Sequence, residues 1–274
     1  EFGRRNIIQI LGVPGSGKTH TIVEMLKQVY KQNQYARVLV CTPSNAAVDV
    51  IARRVYDKKL IFNPYQFSDP GPIFRLGNRF KTDKEIRSFR LPQYRINELL
   101  QSPCLIFSTL MSCQPKKLIQ PVSQIKFDLI IIDEAGQSSE VETLMAMAYD
   151  CKKYVLVGDH HQLSPTIKSQ ICEKAGYGKS FFERLQNLKD KHNDNSTIAL
   201  WNQYRMKPEI CNFPSRKFYR NEIISMENNG HNDSIQLPPI TCFDVHDTEE
   251  SFVLGSKVNY REANFIVRML EDIL

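Results

Sequence analysis

Tryptophan is almost missing from this sequence: Trp201 is the only one in 274 residues. Long apolar runs are missing too. A membrane-spanning helix needs roughly 20 consecutive apolar residues, whereas dense stretches such as Leu129 to Ile132 are strand-sized. The start, "EFGRRNIIQI", lacks the apolar core of a secretory signal. There is no internal repeat and no low-complexity segment. The seven cysteines (41, 104, 113, 151, 172, 211, 242) are scattered and form no C-x-x-C pair. That spacing speaks against a disulfide framework or a zinc site, and predicts buried free thiols in a reducing compartment.

What is present is ordinary in bulk: 42% hydrophobic and 24% charged residues, as in a globular protein. The net charge of +6 mildly favours a polyanionic partner such as nucleic acid. A basic solvated surface without a partner accounts for it equally well.

Short apolar runs alternate with helical spacing. "NIIQIL", "ARVLVCT", "CLIFST", "FDLIIIDE" and "KYVLVGD" read as strands, and their near-continuous apolarity fits parallel strands buried on both faces. Helices are predicted over Lys18 to Lys31 and Asn45 to Tyr56, the first from apolar positions at Ile22, Met25, Leu26 and Val29. This order predicts an α/β fold with a doubly wound parallel sheet. Residues 62–100, with four prolines and little periodicity, read as a surface insertion. "NLKDKHNDNS" (187–196) reads as a polar linker between domains. Beyond it come strand-like "TIALW", a helical start at Lys207, strand-like "ITCFDV" and a last helix from Arg261.

"GVPGSGKT" matches G-x-x-x-x-G-K-[ST] and falls between a predicted strand and a predicted helix. Gly12, Pro14, Gly15, Ser16 and Gly17 curl the backbone so that N–H groups point at phosphate oxygens. The helix adds its positive N-terminal end. Lys18 reaches the β- and γ-phosphates, and the Thr19 hydroxyl ligates Mg²⁺. The acidic partner is Asp133-Glu134, ending a buried strand. Asp133 holds Mg²⁺, and Glu134 orients and deprotonates the attacking water. No N-K-x-D guanine-reading motif exists. In "VLVGDHHQLSPTI", Gln162 is placed to sense the γ-phosphate. His160 and His161 read as exposed turn residues with diverging rings.

The ordered set "GVPGSGKT", "TPSNAAVD", "DEAGQ", "GDHHQL" and "QYRM" resembles the superfamily 1 RNA/DNA helicases of the nonsense-mediated-decay-helicase-like group. "IDEAGQSSEVETL" and "MKPEICNFPS" are most similar to the senataxin branch. The resemblance implies two RecA-like domains, here residues 1–195 and a partial 196–274. ATP then lies at their junction and single-stranded RNA or DNA, or an RNA–DNA hybrid, across the top. It implies that Ser44, Asn45, Thr109 and Pro165 contact nucleic acid. For Ser44 and Thr109, plain helix or turn capping is the alternative. It further implies that Tyr204 stacks on adenine and that Arg205 reaches the γ-phosphate. For these two, core packing of Tyr204 and an i,i+4 pair of Arg205 with Glu209 are the alternative. Direction of travel (5′ to 3′) and a nuclear, or else cytoplasmic, location follow from resemblance alone.

Two parts of the family pattern are not found: the adenine-reading glutamine segment before the P-loop, and the motifs after "NYREANFIVRMLEDIL". The chain therefore reads as a fragment of a larger helicase. An ATP-regulated nucleic-acid-binding module without effective turnover is the rival reading.

Overall fold

A computed structural model describes residues 7–57, 73–89, 103–113, 126–192, 194, 196–226, 237–246 and 248–273. The chain divides into two compact units, Glu1–Tyr204 and Arg205–Leu274.

The first unit is built on a parallel sheet whose seven strands are β1 (Ile7–Gly12), β2 (Arg37–Thr42), β3 (Ile73–Arg75), β4 (Cys104–Thr109), β5 (Leu129–Ile132), β6 (Tyr154–Gly158) and β7 (Ile198–Leu200). Their order is β3-β4-β2-β5-β6-β1-β7. Among the described residues, α-helices α1 (Lys18–Gln32), α2 (Asn45–Asp57), α3 (Glu140–Met147), α4 (Gln170–Lys174) and α5 (Phe181–Lys191) accompany it. The α/β reading with a doubly wound parallel sheet therefore holds.

Alternate residues of each strand feed opposite faces, the period-two rule of extended chain. Val38, Val40, Leu105, Phe107, Ile131, Val155 and Val157 pack against Ile22 and Leu26 of α1 and Val48 and Ile51 of α2. Leu39, Cys41, Ile106, Ile130, Ile132 and Leu156 pack with Ala146, Tyr149, Phe181 and Phe182 on the other face. Two buried faces explain why these strands lack polar alternation. Cys41, Cys104, Cys113 and Cys211 are buried free thiols, as expected, while Cys242 is exposed.

Three expectations need correction. The segment 62–100 is not simply a surface insertion: Ile73–Arg75 is the edge strand, bonded in parallel to Leu105–Phe107, and all three of its residues are buried. Within that stretch, 62–72 and 90–100 lie outside the described residues. "TIALW" does not open a second domain. Its residues Ile198–Leu200 pair in parallel with Ile10–Gly12 of β1, so the division falls after Tyr204 rather than after 195. Backbone hydrogen bonds to an exposed sheet edge outweigh the polar linker before it. "ITCFDV" forms no strand; its exposed residues run irregularly.

The second unit contains α6 (Pro208–Phe218), a hairpin of β8 (Ser251–Val253) and β9 (Ser256–Val258), and α7 (Tyr260–Ile273). Leu254 and Gly255 both have positive φ (49° and 82°), the backbone that a tight two-residue hairpin turn demands. Pro208 starts α6, where its missing N–H costs nothing.

Candidate nucleotide-binding site

The site forms where β1, β5 and β6 end. Since all three strands run parallel, Gly12, Asp133 and Asp159 arrive at the same edge of the sheet. The loop after β1 turns on Gly15 and Gly17, with φ of 78° and 81°, a region that side chains resist. Gly17 is the N-cap of α1, and no side chain caps that helix. Its first N–H groups are thus left to whatever occupies the loop.

Gly12 is a glycine because of Lys18. A Cβ at Gly12 would lie 2.3 Å from Lys18 Cγ and 2.6 Å from Cδ. The lysine folds back over that bare backbone, and its Nζ donates to the Gly12 carbonyl at 3.1 Å. The same Nζ stands 4.0 Å from Glu134 Oε1. The ammonium is therefore held at the centre of the loop, with one carboxylate facing it.

Asp133 is buried at the end of β5, its backbone N–H donating to the Cys41 carbonyl at 2.9 Å. Desolvation and then repulsion from Glu134 push its carboxyl up to about 6. Glu134 sits in left-handed conformation, φ 53°. Its N–H donates to Asp133 Oδ1 at 2.9 Å, and Gln137 Nε2 donates to its Oε2 at 3.2 Å. A strained, non-glycine backbone is the means by which the two adjacent carboxylates both reach the loop.

Asp159, buried after β6, is gripped by Gln162, whose Nε2 donates to Oδ2 at 2.6 Å, and by the His161 N–H at 3.0 Å. The turns after β5 and β6 touch through glycine. A Cβ at Gly136 would sit 2.5 Å from the Asp159 carbonyl oxygen, and one at Gly158 would sit 2.8 Å from the Gly136 nitrogen. Sequence reading missed this pair, although "DEAGQ" and "VGD" each carry the glycine. The histidine rings do not diverge: their centroids are 4.0 Å apart. His160 is half-buried near Phe182, and burial holds its imidazole below the ordinary range.

The residues fit a nucleotide phosphate chain with its metal ion. Gly12 leaves a cradle that a Cβ would fill, and the buried Ser16 Oγ has no hydrogen-bond partner among the described residues. Asp133 is a buried carboxylate held by one backbone N–H. Gly15, Thr19 and Pro14 lie half-buried around the loop. Downstream, the Tyr204 backbone N–H donates to the Gly15 carbonyl at 3.0 Å, while its side chain is half exposed. Arg205 is exposed and opens the second unit.

At the other end of the same edge, Thr42 and Thr109 are register partners in β2 and β4. Ser44 Oγ accepts from the Ala47 N–H at 3.2 Å and so caps α2. Thr109 Oγ1 accepts from the Ser112 N–H at 3.2 Å, a turn cap. Asn45 Oδ1 accepts from Arg75 Nη2 at 3.0 Å. Pro165 is buried. The capping roles anticipated for Ser44 and Thr109 are thus present. Sequence reading passed over Arg75; the one signal was a charged residue inside the apolar run "PIFRLG".

A glycine-rich loop between the first strand and helix of a parallel sheet, facing an acidic pair two strands away, defines the P-loop nucleotide-binding class. Two family models, each described as an AAA domain, match the chain: AAA_11 over residues 2–95 and 81–170, and AAA_12 over 177–274. The chain belongs to this AAA-domain family, among the superfamily 1 helicases of the nonsense-mediated-decay-helicase-like group. Its relatives include the probable helicase MAGATAMA 3 of Arabidopsis thaliana, 32% identical over 84% of this chain and 31% of that protein. The regulator of nonsense transcripts 1 homolog of Neurospora crassa is 31% identical over 78% of this chain and 21% of that protein. Human probable helicase senataxin is 25% identical over 97% of this chain and 14% of its own length. The chain thus spans a third or less of these relatives. Among solved structures, the arterivirus nonstructural protein 10 (helicase) complex with DNA aligns at a TM-score of 0.49 and 12% identity, over 87% of this chain and 46% of that one.

Proposed function

We propose that the chain is the ATP-hydrolysing core of an RNA/DNA helicase that moves on single-stranded nucleic acid. The observation that carries this reading is the convergence of Lys18, Asp133 and Glu134 on one loop, with Lys18 Nζ 4.0 Å from Glu134. Lys18 draws charge off the β- and γ-phosphates, and the loop N–H groups hold the chain of phosphates in line. Thr19 and Asp133 would hold Mg²⁺, which when bound would offset negative charge on the phosphates. Glu134 accepts the proton of the attacking water. The new bond forms at the γ-phosphorus, and the bond to the β–γ bridging oxygen breaks, releasing ADP and phosphate.

By similarity, Tyr204 lies against adenine, Gln162 reports the γ-phosphate and Arg205 supplies positive charge to it. Ser44, Asn45 and Thr109 would then meet backbone phosphates, so sequence preference is slight. An RNA–DNA hybrid is the further substrate class this reading admits.

ATP binding and single-turnover hydrolysis, with and without single-stranded RNA, test the proposal. Glu134→Gln should keep ATP affinity and lose turnover by at least about 100-fold. Equal turnover in that variant, or no ATP binding by the unaltered chain, would overturn it.

A further inference from the structure

Beside Asn45 lies a cleft of about 510 Å³ that the nucleotide site does not use. It is lined by Asn45, Ala46, Val50 and Arg53 of α2 and by Phe80 and Lys81 of the turn after β3. Phe80 is 87% exposed, a large aromatic held in water where no packing requires it.

The turn that carries it is fixed from below. Fully buried Arg75 donates from Nε to Asp49 Oδ1 at 2.7 Å and from Nη2 to Asn45 Oδ1 at 3.0 Å. Its Nη1 also bonds the Leu76 carbonyl. Asp49 Oδ2 in turn accepts the Asp83 N–H at 2.9 Å, tying the turn to α2. Gly77, at φ 139°, leaves space over the guanidinium. An exposed ring on a well-anchored turn is a platform, since little ordering remains to be done when a ligand arrives.

The charge around it is basic. Lys81, Lys84 and Arg87 fall within seven residues, against Asp83 and Glu85. Both of those carboxylates are taken by Arg53, at 2.5 Å and 3.0 Å, and Asp49 is taken by Arg75. Lys81 has no carboxylate within salt-bridge distance among the described residues. Sheet order supplies continuity. β2, β4 and β3 are neighbours and parallel, so Asn45, Thr109 and the turn bearing Phe80 all follow strand ends on one edge.

From this we propose that Phe80 is a stacking platform for one base of a single strand, with Lys81 meeting the adjoining phosphate. The site rests on the nucleic-acid reading above and extends the strand's path outward from Asn45 across the edge of the sheet. Base–aromatic stacking tolerates any base, which suits a protein that moves along a strand.

Binding of a fluorescein-labelled oligouridylate, measured by anisotropy, tests it alongside a matched strand of abasic ribose phosphates. Phe80→Ala should weaken oligouridylate binding by about 5- to 100-fold, and Phe80→Trp should restore it. The preference of the unaltered protein for bases over abasic sites should shrink in Phe80→Ala. Because the ring is exposed, the thermal melt should not move. If the unaltered protein binds the strand and Phe80→Ala binds it equally well, the platform is refuted and the helicase reading stands. If the unaltered protein does not bind either strand, the helicase reading fails and the platform with it.

Discussion

The Tyr204 backbone N–H donates to the carbonyl oxygen of Gly15 at 3.0 Å. A residue 189 positions downstream is thereby fastened to the crown of the phosphate loop. The link exists because β7 lies beside β1 and delivers the chain to the loop's flank. It fixes where the phenol ring starts, while the ring itself stays half exposed.

Gly12→Ala tests how Lys18 is seated. The new methyl would lie 2.3 Å from Lys18 Cγ, so the lysine must swing away from the loop. ATP affinity, followed with a fluorescent analogue, should fall by about tenfold or more. The melting temperature should fall less than for Gly136→Ala, because the displaced group is a side chain rather than backbone.

Asp133 carries a pH signature. Its folded carboxyl stands at about 6 against an ordinary 3.8, so the fold favours the neutral form. The resulting stability is complete below the ordinary value and is lost as pH rises through about 6. Asp133→Asn removes that loss, worth at most about 3 kcal/mol. Its melting temperature should match the unaltered protein near about pH 4 and exceed it at about pH 7 to 8. Saturating Mg²⁺ with a non-hydrolysable ATP analogue should narrow the gap. A constant gap across the range would contradict the cause assigned.

Gly136→Ala should weaken the first unit. A Cβ there meets the backbone carbonyl of Asp159 at 2.5 Å, and backbone cannot rotate aside. Overpacking of this kind costs about 1–3 kcal/mol, or about 3–10 °C in a unit of this size. Differential scanning calorimetry gives the value.

Arg75 and Asp49 should be strongly coupled. Arg75→Met strands a buried carboxylate and should cost about 3–5 kcal/mol in urea unfolding. Adding Asp49→Leu should recover part of it, with a coupling energy above about 1 kcal/mol. Simple additivity would show that the pair is not a unit.

The phosphate loop, the acidic pair and the five central strands were legible because each is a local pattern. Glycine placement, a lysine after glycine and unbroken apolar runs bounded by polar residues are set by neighbours in the chain. β7 and β3 were not legible as parts of this sheet. Both are three-residue strands whose bonds go to distant partners, β1 and β4. The hairpin of β8 and β9 was missed since its residues are exposed and carry little alternation. Ser44 and Thr109 looked like caps or phosphate contacts, and only hydrogen-bond geometry shows that they cap.

By itself the sequence determined the chemistry: a P-loop after a buried strand, two carboxylates after another, and an α/β order that must bury both faces of a sheet. Tertiary structure decided what stands beside what. It brought Gly136 against Asp159, Tyr204 against Gly15, and buried Arg75 beneath Asn45. Those contacts join residues far apart in the chain and depend on strand order. No local pattern records strand order, because every parallel strand buried on both faces looks alike in sequence.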